Sequence, residues 1–255
     1  MRKKIVIAVV TALMMLMVLP VNAFAAAPSV QEVETLIAQI GTVSRENRSA
    51  VEKAVDAYNQ LDDDSKAGVS NFDTLAEAQQ ILGIKDALAK LNIDHDKVEN
   101  TRTITSPYFV KVADAGQCSV APVIYTYDNQ DKPTLGVAFI YIGDELLNAD
   151  KIVVRVGDNK YTYHQDAFTT ISRDAGKTNT GAIKWIEYYG TRAEDFDIEL
   201  LRDALSSEEA IFRFSGYRNY DYVLIPQNRQ AITDVLNAYN LMCSVSPEVL
   251  RKALE

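Results

Sequence analysis

The chain has 255 residues, 47% of them apolar, with 26 Lys+Arg against 35 Asp+Glu and a formal net charge of −9. That length and apolar content suit one or two globular domains with a buried core. An acidic balance is repelled by nucleic acid and by anionic lipid, so neither is an expected partner.

The first residues have the layout of a secretory signal. Arg2, Lys3 and Lys4 precede an apolar run from Ile5 to Leu19 that only Thr11 interrupts, and Pro20 ends any helix there. Ala23-Phe24-Ala25 offers small residues where a signal peptidase needs them, so residues 1–25 are expected to be removed after Ala25. The run is short for a bilayer span of ~20 residues, and no stable membrane insertion is expected after cleavage. Removal takes three of the 26 Lys+Arg and none of the 35 Asp+Glu, leaving a net charge of −12 (23 minus 35). The expected location is secreted, extracellular or associated with the cell envelope. Cys118 and Cys243 are then a possible disulfide, with two buried thiols as the preferred reading.

Residues 29–91 read as a helical bundle module. Ser29 and Glu32 form a capping box ahead of Val33, Leu36, Ile37 and Ile40, and Gly41 stops that helix. Val51, Val55, Tyr58 and Leu61 mark a second helix, and Asp62-Asp63-Asp64-Ser65 caps a short turn. Phe72 to Leu91 carries a third, longer helix that Gly83 weakens. The acidic run lacks the spaced ligands of a calcium loop, so a solvated cap is preferred. Val51-x-x-Ala54-x-x-x-Tyr58-Asn59-x-Leu61, Lys66-x-x-Val69-x-Asn71 and Leu75-x-x-Ala78 together resemble the small helical module of Gram-positive surface and secreted proteins. That resemblance implies a spacer or accessory role.

Residues 92–103 are polar and aperiodic and read as a linker. The segment 104–255 is expected to be an α+β domain. Tyr108–Val112, Val120–Tyr127 and Thr134–Ile142 read as an antiparallel meander, the last two joined by a turn over 128–133. Ile152, Val154 and Val156 alternate with Val153 and Arg155, and Gly157-Asp158-Asn159 turns the strand into a hairpin with 160–163. Residues 164–180 read as irregular, and Ile183–Tyr189 as a strand. Thr191 and Glu194 read as a capping box for a helix with Ile198, Leu201 and Leu205. Ile211–Phe214 and Tyr220–Ile225 read as a closing hairpin. A helix opened by Pro226 and another at Ser246-Pro247 finish the chain. The expected fold is thus α+β: an N-terminal three-helix module, then a mostly antiparallel, sandwich-like sheet with covering helices. The run from Ile152-Val153-Val154 through Ile211–Gly216 and Asp221–Leu224 to Ala231-Ile232 resembles an uncharacterised C-terminal domain of bacterial exported proteins, which implies no particular activity.

Candidate chemistry is sparse, and no catalytic residue, metal ligand or cofactor is expected. Gly176-Lys177-Thr178 lacks the upstream glycine of a phosphate loop, with Ile171 in its place. His95, between Asp94 and Asp96, and His164 read as solvated. Glu187, Asp195 and Asp197 supply carboxylates for a hydrolase in number only. Trp185, Tyr188 and Tyr189 could stack a sugar, but alternation buries half of such a set. Arg213, Tyr217, Arg218, Tyr220 and Tyr222 form the best binding candidate, an arginine–tyrosine patch on one hairpin. The leading expectation is a non-enzymatic exported protein that binds another protein or a cell-wall glycan. A carboxylate-dependent hydrolase and a small-molecule or peptide binder are the alternatives.

Overall fold

A computed structural model describes residues 27–128 and 130–255. The leader expected over residues 1–25, with Ala23 and Ala25, lies outside them. The described chain is α+β, with eight helices and two antiparallel sheets.

Four helices come first: α1 (Val30–Ala38), α2 (Arg48–Asn59), α3 (Asp63–Ala67) and α4 (Phe72–Leu88). The Ser29–Glu32 capping box forms as its spacing requires, and Asp62 Oδ1 accepts the Ser65 N–H at 2.7 Å to start α3. Val33, Ile37, Val51, Ala54, Leu75 and Ala78 are buried in one cluster with Leu82. Further along α4, Ile81, Ile84, Ala87 and Leu88 enter a second, larger cluster. α4 is therefore apolar around most of its circumference, because it serves two cores at once.

The expected linker is a hairpin. β1 (Asn92–Asp96) and β2 (Thr101–Thr105) pair antiparallel about a turn in which Asn100 has φ +50. Every β1 residue is exposed, so no face is buried and no alternation marks the strand. β2 reaches the core through Ile104, which pairs with Ile124.

The expected strand at Tyr108–Val112 is instead α5 (Pro107–Asp114). Ser106 Oγ accepts the Tyr108 N–H at 3.3 Å, and Pro107 occupies the first helical position. Phe109 and Val112 are buried three residues apart, while Val110 is half exposed. The cap and the helical spacing override the strand preference of the individual residues.

The meander is thus β2, β3 (Ser119–Tyr127) and β4 (Thr134–Gly143). Beyond it stand β5 (Lys151–Val156), β6 (Asn159–His164), β7 (Thr170–Lys177) and β8 (Ile183–Arg192). β7 occupies the middle of the stretch expected to be irregular. It is a polar edge strand, and its pairing with β8 defines it better than its composition does. α6 (Asp195–Ser206) has Glu194 at its N-cap and Asp197 completing the capping box. The expected cap, Thr191, lies in β8. The chain closes with β9 (Ala210–Ser215), β10 (Asn219–Val223), α7 (Pro226–Ser244) and α8 (Pro247–Leu254).

The larger sheet has the order β1-β2-β3-β4-β8-β7, and the smaller β10-β9-β5-β6. Phe139 of β4 meets Tyr163 and Phe212 of the small sheet at ring separations of 5.1 and 5.9 Å, and Tyr141 meets Phe214 at 5.9 Å. These rings join the two sheets in one core. α7 is pinned to β3 by Asn228, which is fully buried. Its Oδ1 accepts the Val120 N–H at 3.0 Å, its Nδ2 donates to the Val120 carbonyl at 2.8 Å, and the Tyr222 hydroxyl donates to Oδ1 at 2.8 Å. One side-chain amide thus supplies the partners that a neighbouring strand would give.

Candidate functional site

The hairpin residues picked from sequence do not converge. Tyr220 and Tyr222 point inward from β10. Tyr220 packs edge-on to Tyr141 at 5.1 Å, and Tyr222 is buried against Asn228. Arg213 and Asp221 point outward as a register pair of β9 and β10. Tyr217 is exposed in the turn, and Arg218 pairs there with Glu145 at 2.6 Å. Strand alternation explains the division.

Cys118 and Cys243 are separate thiols, so the possible disulfide is absent. Cys118 lies two residues before Val120, which Asn228 holds near the start of α7. Cys243 is fifteen residues further along that helix, ~22 Å at 1.5 Å per residue. A disulfide needs Cα atoms within ~7 Å. Burial raises the pKa of both thiols.

The acidic candidates are engaged by the fold. Glu187 is fully buried, and its carboxylate accepts the N–H groups of Leu147 at 2.5 Å, Asn148 at 2.8 Å and Ala149 at 3.0 Å, together with the Tyr189 hydroxyl. Arg173 lies 3.7 Å away as counter-charge and donates to the Ala149 carbonyl at 2.9 Å. Asp197 accepts the Tyr163 hydroxyl at 2.6 Å and the Glu194 N–H at 2.8 Å, while Asp195 sits exposed in the first turn of α6. Tyr189 is core, Tyr188 lies on the opposite face of β8, and Trp185 stands near its start, so the three make no stacking platform. Gly176 and Lys177 end an edge strand, where a phosphate loop would open a helix. His95 is exposed on β1, and His164 is exposed at the end of β6. Among the described residues no cluster of His, Cys, Asp and Glu could hold a metal, and no helix is long and apolar enough to cross a membrane.

The small sheet presents a different surface. Its inner face (Ile152, Val154, Phe212 and Phe214, all at 0% exposure) is core. Its outer face is bare, and the strand registers arrange it in three rows. The first runs His164, Lys151, Ser215, Asn219; the second Thr162, Val153, Arg213, Asp221; the third Lys160, Arg155, Ile211, Val223. A shallow cavity of about 630 Å³ lies over this face, with Asp150 and Gly216 at its rim.

Arg213 Nε and Nη2 reach Asp221 Oδ1 and Oδ2, both at 2.6 Å. This pairing lowers the Asp221 carboxyl pKa and raises that of Arg213. Lys151, Arg155 and Lys160 have no ion-pair partner among the described residues. Arg155 and Lys160 are directly opposite in register, an arrangement that costs stability. Four cations against two carboxylates make this face positive on an acidic chain. Sequence reading found Arg213 but missed the three others. The available signal was the alternation of Lys151, Val153 and Arg155 with buried Ile152, Val154 and Val156.

No family model matches the chain, and neither curated proteins nor solved structures give a match to it.

Proposed function

We propose that the chain is an exported, non-enzymatic binding protein of the bacterial cell envelope that takes a macromolecular partner on the outer face of its small sheet. One observation carries this reading. A four-stranded sheet, packed to exclusion on its inner side, leaves an open and charged outer side with a cavity of about 630 Å³ over it. Three of the charges there have no ion-pair partner among the described residues. An enclosed, mostly apolar pocket would favour a small-molecule ligand, and this surface is open and polar. The buried carboxylates are saturated by donors of their own neighbourhood, which argues against the hydrolase.

In this reading residues 1–25 are lost on export. The helices over 29–91 form the surface-protein-type module as an accessory, and the two sheets act as a sandwich that holds the binding face rigid. The ring contacts between the sheets support the sandwich reading, and the separate apolar cluster of α1, α2 and α4 supports the module.

Co-sedimentation of the purified protein with bacterial cell walls tests the proposal. The wild type is expected to sediment with the walls, and Val153→Trp, which fills the middle of the face, to stay in the supernatant. Equal sedimentation of the two, or none by the wild type, overturns it.

A further inference from the structure

We infer that the partner of the small-sheet face is an anionic polysaccharide, an inference that rests on the binding-protein reading above. Lys151 and Arg155 are four residues apart on β5, about 13 Å at the rise of a strand, and Lys160 stands beside Arg155 about 5 Å away. Arg213 lies in the row between them, one strand over. Each row along β5 thus brings one or two cations, about 6.6 Å apart.

The chemistry of the face separates an anionic glycan from an acidic peptide. Donors dominate: three cations without ion-pair partners, with Asn219 and Ser215 beside them. Of the two carboxylates, Asp221 is already spent on Arg213. A peptide laid here would bring backbone N–H groups that find few acceptors, and burying them unpaired costs free energy. The backbone groups of β5 and β9, the two strands under the middle of the face, are used within the sheet and cannot help. A polysaccharide carrying carboxylate, sulfate or phosphate brings acceptors, which this surface satisfies. The face also carries no Phe, Tyr or Trp, the residues that enrich the centres of protein–protein contacts. The tyrosines of β6 and β10 all turn to the other side.

The like-charge pair sharpens the inference. Arg155 opposite Lys160 repels in the free protein, and the repulsion is relieved when an anion sits between them. Neutralising these cations should therefore leave the fold intact or slightly firmer while it weakens binding. A purely structural role predicts the reverse.

The experiment measures affinity by titration calorimetry for heparin as a sulfated polysaccharide, neutral dextran, poly-glutamate and single-stranded DNA. It is run at two salt concentrations on the wild type, on the variant K151Q/R155Q/K160Q and on V153W. Cell-wall sedimentation is repeated alongside. The wild type is expected to bind heparin over dextran and the other polyanions, less tightly at high salt. The triple variant should bind about tenfold more weakly or worse, with an unfolding midpoint no lower than wild type. Preference for poly-glutamate or DNA over heparin overturns the polysaccharide assignment. So does undiminished heparin binding by the triple variant. If the triple variant still sediments with walls while V153W does not, the face binds a partner that is not anionic: the inference fails and the binding-protein reading stands. If neither substitution reduces sedimentation, both fail.

Discussion

Removing the Glu187 carboxylate should cost the protein a large part of its stability. It is fully buried and gathers the loop before β5 by accepting three successive N–H groups, those of Leu147, Asn148 and Ala149, plus the Tyr189 hydroxyl. Leu147 and Ala149 are themselves buried, so in Glu187→Ala at least two N–H groups lose their acceptor with no water at hand. At about 1–3 kcal/mol for each unsatisfied buried group, these two cost about 2–6 kcal/mol. Arg173 is left as a largely buried charge, which moves the total to the upper half of that range. A domain of ordinary stability has only about 5–15 kcal/mol to lose. Glu187→Gln keeps the volume and one acceptor oxygen, so roughly half the loss is expected. Urea unfolding at neutral pH is the assay, and the single tryptophan, Trp185, two residues away on the same strand, reports it by fluorescence. An alanine variant within about 1 kcal/mol of wild type would refute the reasoning, because it would mean the loop finds other acceptors.

Two further outcomes follow from the same packing. Asn228→Leu should cost about 3 kcal/mol or more, because both polar groups of Val120 and the Tyr222 hydroxyl lose partners at about 1–3 kcal/mol each; a loss below about 1 kcal/mol in the same urea assay would contradict that role. Burial pushes the Tyr220 and Tyr239 pKa values up to about 12 from the ordinary 10. Above pH 10 the unfolded chain releases these protons while the folded chain keeps them, so the contribution of these two residues to stability should be constant below pH 10 and be lost between 10 and 12. The urea midpoint should fall across that window while these two residues add tyrosinate absorbance to the folded protein only near pH 12, and a midpoint unchanged across it would refute the assignment.

Local chemistry made much of the fold legible. Caps such as Ser29–Glu32 and apolar spacing such as Val51, Val55 and Tyr58 depend only on residues within one or two helical turns. The alternation in 152–156 and the turn at Gly157 are equally local. The errors fell where local signals conflict or vanish. At 107–112 strand-forming side chains followed a Ser-Pro helix start, the same signal that correctly placed the last helix at Ser246-Pro247. At 92–96 and 170–177 the strands are edges with little or nothing to bury, so they carry no strong period to read.

The sequence by itself determined the class of each well-buried element and which residues of a strand share a face, because a period of two or 3.6 is written into neighbouring positions. Only the tertiary structure decided which strands lie side by side. Val153 stands beside Arg213 through a pairing that spans about sixty residues, and that pairing puts Lys151 and Arg155 on the same face as Arg213. Pairing across that distance is settled by the packing of whole sheets, where a slip of one residue would exchange the charged face for the apolar one.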